Sequence, residues 1–106
     1  MSGLEIFSVK ERDGCTRVTP GRDIVASMAP DLRKALLTVA EKEPGDIILD
    51  LTGVEMVDSV GLGVLIAAYN SVSKGGGKLV FVNTTNDVVK LFKMMRLDKH
   101  FTIVSQ

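Results

Sequence analysis

The chain reads as an α/β protein with a mostly parallel sheet, and three observations carry that reading. First, Ile47-Ile-Leu-Asp-Leu51 and Leu79-Val-Phe-Val82 are short and nearly all apolar, the pattern of strands covered on both faces. Second, these runs alternate with segments whose apolar residues recur at helical spacing. Third, Pro and Gly clusters at 20–21, 44–45 and 75–77 mark the changes of element. The expected order is β-β-α-β-α-β-α-β, whose later strands require right-handed crossovers.

Each element has its own signal. Residues Leu4 to Lys10 are extended in character, with Ile6, Phe7 and Val9 as the apolar members. Asp13-Gly14 suits a tight hairpin, because glycine adopts positive φ without a steric penalty. Cys15 to Thr19 is the returning strand, and Pro20-Gly21 interrupts it. Ser27 is expected to cap the first helix, with Pro30 and Asp31 in its opening turn. Leu32, Leu36, Val39 and Ala40 form its apolar stripe, and Lys42-Glu-Pro-Gly45 ends it. A second helix runs from Val60 to Ser73, with Leu62, Leu65, Ile66, Tyr69 and Val72 on its buried side. Thr85 or Asn86 caps a third helix, and Asp87 favours its positive end. Val88, Leu91, Phe92 and Met95 are its expected stripe, and Phe101-Thr-Ile-Val104 is the last strand.

Composition narrows the function. The 106 residues suit one domain, spanning 1–106, with a modest two-layer core. Thirteen basic and thirteen acidic side chains balance, so no charge excess points to nucleic acid or a membrane. Cys15 has no internal partner, which favours a reducing compartment. There is no secretory signal pattern and no apolar stretch near the roughly 20 residues that span a bilayer. A cytoplasmic protein is expected.

Enzymatic readings find little support. Gly75-Gly-Gly-Lys78 lacks the Ser or Thr of a phosphate loop, and it leads into a strand rather than a helix. Gly61-x-Gly63 is followed by Ile66 where a dinucleotide fingerprint has its third glycine. Ser59 stands at a strand-to-helix turn, but Val57 occupies the place of a nucleophile elbow's first glycine. His100, the only histidine, reads as a surface residue. One Cys and one His, far apart, make a poor metal site, so Asp50, Glu55 and Asp58 are assigned structural and solubility roles. Met94 and Met95 read as core filler, and Met56 as a candidate interface residue. No enzyme activity, cofactor or metal is expected.

The informative segment is Asp50-Leu-Thr-Gly-Val-Glu-Met-Val-Asp-Ser-Val-Gly-Leu-Gly63. It leaves a strand, turns, and places Ser59 at a helix start, where its hydroxyl is expected to serve as the cap. Glycine in a helix costs roughly 1 kcal/mol relative to alanine, so Gly61 and Gly63 call for a reason. Val57, Val60 and Leu62 flank the serine in a region expected to meet solvent. Bare backbone lets another molecule approach closely, and a helix start tolerates a phosphate. Met56, Asp58, Ser59, Val60, Gly61, Leu62 and Gly63 are therefore the expected docking surface, with Ser59 as its switch.

At these residues the sequence resembles the STAS family, most closely its free-standing bacterial anti-sigma factor antagonists. Gly76-Gly-Lys-Leu-Val-Phe-Val82 and Val88-Val-Lys-Leu-Phe92 resemble the family's downstream segments. The resemblance implies a mixed sheet with helices mainly on one face. It also implies that Ser59 is phosphorylated by a partner, an anti-sigma factor serine kinase with a histidine-kinase-like ATPase fold. The unphosphorylated protein then binds that kinase and frees a sigma factor, and a serine phosphatase resets the switch. Asp58 matches the acidic residue of the signature and is expected to orient the serine or meet the kinase. The chain departs from the family in carrying Gly21-Arg-Asp-Ile24 where Gly-Glu-Leu-Asp is common, which moves the aspartate to Asp23. The alternative within the family is a constitutive scaffold subunit of a sensory or transporter-associated complex, in which Ser59 is only a cap.

Overall fold

In a computed structural model that describes residues 8–12, 14–42 and 45–104, eight regular elements follow one another as expected. They are β1 (Ser8–Arg12), β2 (Cys15–Thr19), α1 (Ala29–Glu41), β3 (Asp46–Asp50), α2 (Ser59–Lys74), β4 (Leu79–Val82), α3 (Asn86–Met94) and β5 (Thr102–Ile103). A short 3-10 turn at Leu97–Lys99 precedes β5. The sheet order is β1-β2-β3-β4-β5. β1 and β2 are antiparallel, and every later pair is parallel.

This order explains where the helices go. Each crossover moves one strand further in the same direction. With one handedness, successive crossovers place their helices on one face of the sheet. Burial follows the strand period of two. Val18, Ile47, Leu49, Leu79 and Phe81 are fully buried on the helix side. Ile48, Val80 and Val82 alternate with them and are only half-buried. The expectation that β3 and β4 are covered on both faces is therefore corrected: one face is sealed and the other is open. Phe81, Phe92 and Phe101 close the β4–α3–β5 end of the core, with ring centroids 4.8–5.2 Å apart.

Other expectations shift in detail. The segment 4–7 and Asp13 lie outside the described residues, and β1 ends at Arg12 rather than Lys10. Ser27 does not cap α1: the cap position is Met28, which accepts no side-chain hydrogen bond and is buried in the core. Core packing of Met28 and Ala29, together with Pro30 in the first turn, starts this helix instead. On α2, Val64 and Ala68 are buried, whereas Ile66 and Tyr69 are half-buried. Thr85 caps α3 by accepting the Val88 N–H. Met95 is not part of the α3 stripe, and Met94 is not core filler. They are 52% and 75% exposed, because α3 ends at Met94 and Arg96 turns the chain away with positive φ.

The open face carries one buried charge. Asp50 ends β3, and Arg17 of β2 lies beside it at 2.7 Å. The Thr52 N–H and hydroxyl and the Asn83 amide also donate to it. Burial pushes its carboxyl up, but the bonds from Asn83, Thr52 and Arg17 outweigh that and hold it well below the usual range. A carboxyl depressed on folding stabilises the fold fully above its ordinary value of 3.8 and loses that contribution as pH falls below it. Asp50→Asn is accordingly expected to destabilise the protein by about 2 kcal/mol at pH 7. The gap to wild type should narrow as urea titrations are repeated from pH 5 down to pH 2.5. A gap that stays constant across that range contradicts the assignment.

Candidate functional site

The segment between β3 and α2 is pinned from below. Leu51, Val54 and Val57 are buried, while Thr52, Glu55 and Met56 face out. It is also stitched sideways to the loop that enters α1. Ile24 and Val57 form an isolated parallel bridge. The Ile24 N–H donates to the Met56 carbonyl at 3.0 Å, and the Asp58 N–H donates to the Ile24 carbonyl at 3.1 Å. Asp23 Oδ1 accepts the N–H groups of Glu55 and Met56 at 2.8 and 3.1 Å. Asp23, one position from the family's usual place, is thus a backbone clamp that sequence reasoning did not identify.

Asp58 completes the stitching. One carboxylate oxygen accepts the Gly61 N–H at 2.7 Å, and the other accepts the Ala26 N–H at 2.8 Å. Asp58, not Ser59, is the cap of α2, which corrects the sequence expectation. The N–H groups of Gly61 and Ala26 hold its carboxyl below the ordinary range against partial desolvation, with a further contribution from Val60. Asp58 is therefore charged and committed on both oxygens.

Ser59 is left as the first residue of α2. It is exposed, and its hydroxyl bonds to no described residue. Met56 and Val60 beside it are 54% and 51% exposed. The two glycines behave differently. A Cβ at Gly61 would overlap the Ile24 carbonyl oxygen and the Ile24 side chain. Gly61 is thus buried for internal packing, and Leu62 also points into the core. A Cβ at Gly63 would meet nothing within 4 Å. Of the seven expected docking residues, Met56, Ser59, Val60 and Gly63 are exposed. Asp58 supports this stretch, and Gly61 and Leu62 shape it from inside.

Elsewhere, His100 is exposed and stands 3.4 Å from the Tyr69 hydroxyl, remote in sequence and fold position from Ser59. Gly77 packs tightly against the Gly45 carbonyl, which gives the glycine loop at 75–77 a structural role. Among the described residues no three His, Cys, Asp or Glu side chains gather as a metal site. No described helix is long and apolar enough to cross a membrane.

The family follows from this arrangement and from comparison. The STAS domain model matches residues 7–106. The chain belongs to the STAS domain family. An anti-sigma-B factor antagonist of Bacillus subtilis (strain 168) is 33% identical over 89 residues, covering 84% of this chain and 81% of that one. The crystal structure of an anti-sigma factor antagonist from Mycobacterium paratuberculosis is 28% identical, with a TM-score of 0.83 over 100% of this chain and 92% of that one. The Bacillus cell fate determinant SpoIIAA, solved in its phosphorylated form, shares the fold at 14% identity, with a TM-score of 0.73 over 94% of this chain and 92% of its own.

The contrast between the STAS signature's glycines is testable by stability alone. Gly61→Ala is expected to cost about 1–3 kcal/mol through overpacking against Ile24. Gly63→Ala should raise stability by up to about 1 kcal/mol, because it improves helix propensity without a clash. Chemical denaturation of the two variants checks the opposite signs.

Proposed function

We propose that this STAS protein is an anti-sigma factor antagonist that works by partner switching in the cytoplasm. It binds an anti-sigma factor through the surface around Ser59 and is released when that serine is phosphorylated. The observation that carries the reading is an exposed serine hydroxyl, bonded to no described residue, on a rim between the exposed Met56 and Val60. The antagonist names of the relatives and the phosphorylated form of a protein with this fold support it. The partner acts as the serine kinase, with a histidine-kinase-like ATPase fold, and a serine phosphatase restores the free hydroxyl. The chain itself supplies a substrate serine and no catalysis. Its role is that of a binding module.

Charge and desolvation account for the release. Phosphorylation adds about −1.5 to −2 charges at neutral pH. In the free protein, water surrounds the group and the start of α2 tolerates it. In the complex it is stripped of water beside the ionised Asp58 and the apolar Val60. Burying such a charge without a paired cation costs several kcal/mol. A net penalty of about 3 kcal/mol weakens binding more than a hundredfold.

The test begins with purified chain, the histidine-kinase-like anti-sigma factor from the same cell, and ATP. Intact-mass analysis should show one phosphate, absent in Ser59→Ala. Calorimetry should show tight binding by Ser59→Ala and binding by Ser59→Asp weakened by at least about tenfold. Equal affinity of wild type and Ser59→Asp would refute the switch. Constitutive binding without any phosphate would favour the scaffold reading.

A further inference from the structure

The side of α2 that meets α1 leaves an apolar trough. Val60, Gly63, Val64 and Ala67 lie at i, i+3, i+4 and i+7, with Val60 and Gly63 exposed, Ala67 half-buried and Val64 buried as part of the floor. With Ala29, Pro30 and Arg33 of α1 they line an open groove of about 410 Å³. The groove starts at Val60, beside Ser59, and runs along the α1–α2 seam.

Two features of this groove bear on what it can receive. Gly63 sits inside a helix where alanine would fit without contact, so the fold forgoes helix propensity there. Packing among the described residues gives no reason for it, unlike the reason Ile24 gives for Gly61. Arg33 is exposed at the groove and forms no ion pair with any described residue. A bare backbone position and a lone cation beside an apolar trough define what fits: an apolar side chain that approaches closely, accompanied by a carboxylate.

We propose that the groove receives an amphipathic helix of the anti-sigma partner. One of its apolar residues seats against Gly63, and one of its acidic residues pairs with Arg33. The inference rests on the reading that the Ser59 surface binds that partner, and it assigns the contact next to the serine. A seam between two adjacent helices offers a groove for the ridge of a third, and apolar anchors at helical spacing are the recognition mode such grooves support. The pairing with Arg33 fixes direction and selects partners by charge. Because Val60 belongs both to the groove and to the rim of Ser59, a helix seated here holds the serine near the partner's kinase site. A phosphate at Ser59 acts on the same bound pose.

The experiment uses the anti-sigma factor that phosphorylates Ser59, titrated calorimetrically with unphosphorylated full chain. Gly63→Ala is expected to melt at a higher temperature than wild type and still bind about tenfold more weakly. Arg33→Glu should lose about tenfold or more, with most of the affinity restored in Arg33→Lys. Neither variant should alter the sedimentation of the isolated chain. Either Gly63→Ala or Arg33→Glu binding like wild type, while Ser59→Asp is impaired, overturns the helix pose and leaves the switch standing. Absence of wild-type binding overturns both. A dimer of the isolated chain that Arg33→Glu dissolves makes a second copy the occupant, and that too overturns the proposal.

Discussion

The backbone of Ile24 is the constraint on which the site depends. Its N–H and carbonyl bracket Met56 and Asp58, and its carbonyl and side chain occupy the space beside Gly61. Through these contacts the loop before α1 fixes the approach of the α2 start. The position of Ser59, the spacing of the α1–α2 seam and the outward turn of Val60 all follow from that one approach. A larger residue at 61 displaces them together, because the neighbour it meets is backbone and cannot rotate away.

Three carboxylates hold this region, and each does so as an acceptor. Asp23 takes two N–H groups of the 51–58 segment, Asp58 joins Ala26 to Gly61, and Asp50 gathers Arg17, Thr52 and Asn83 beneath it. A platform tied by so many backbone bonds changes its charge more readily than its shape. That favours a switch acting through electrostatics and desolvation at a fixed surface over one acting through refolding. It also means that the acidic residues of the signature serve the architecture first.

The element order was legible because strands and helices here keep their periods. The short apolar runs at 47–51 and 79–82 are too short for helices and read as strands, whereas the order of the strands in the sheet is not fixed by crossover handedness, which sets only the face that carries the helices. The site was legible to within a residue. Asp58 and Ser59 are both good cap residues, and sequence alone does not say which carboxyl or hydroxyl reaches the Gly61 N–H. Gly61 and Gly63 look equivalent in the chain. They differ because Ile24, far earlier, packs against one and not the other. Ser27 carried a cap signal that core burial of Met28 overrode. The role of Asp23 was invisible because its partners are backbone groups more than thirty positions away, brought there by the Ile24–Val57 bridge.

The capping arrangement itself bears on how strongly a phosphate at Ser59 is disfavoured in a complex. A helix start binds anions with its free N–H groups. Here the Gly61 N–H goes to the Asp58 side chain and the Leu62 N–H to the Asp58 carbonyl. Part of the anion-binding capacity of α2 is therefore already committed to Asp58, whose carboxylate carries a negative charge of its own. Water must do most of the solvating of a phosphate in the free protein, and docking removes that water. A neutral serine cap would occupy the same Gly61 N–H but would add no charge beside the phosphate. On the proposed partner-switching reading, the aspartate before Ser59 therefore sharpens release in two ways, by like charge and by occupying the Gly61 N–H that a phosphate could otherwise use.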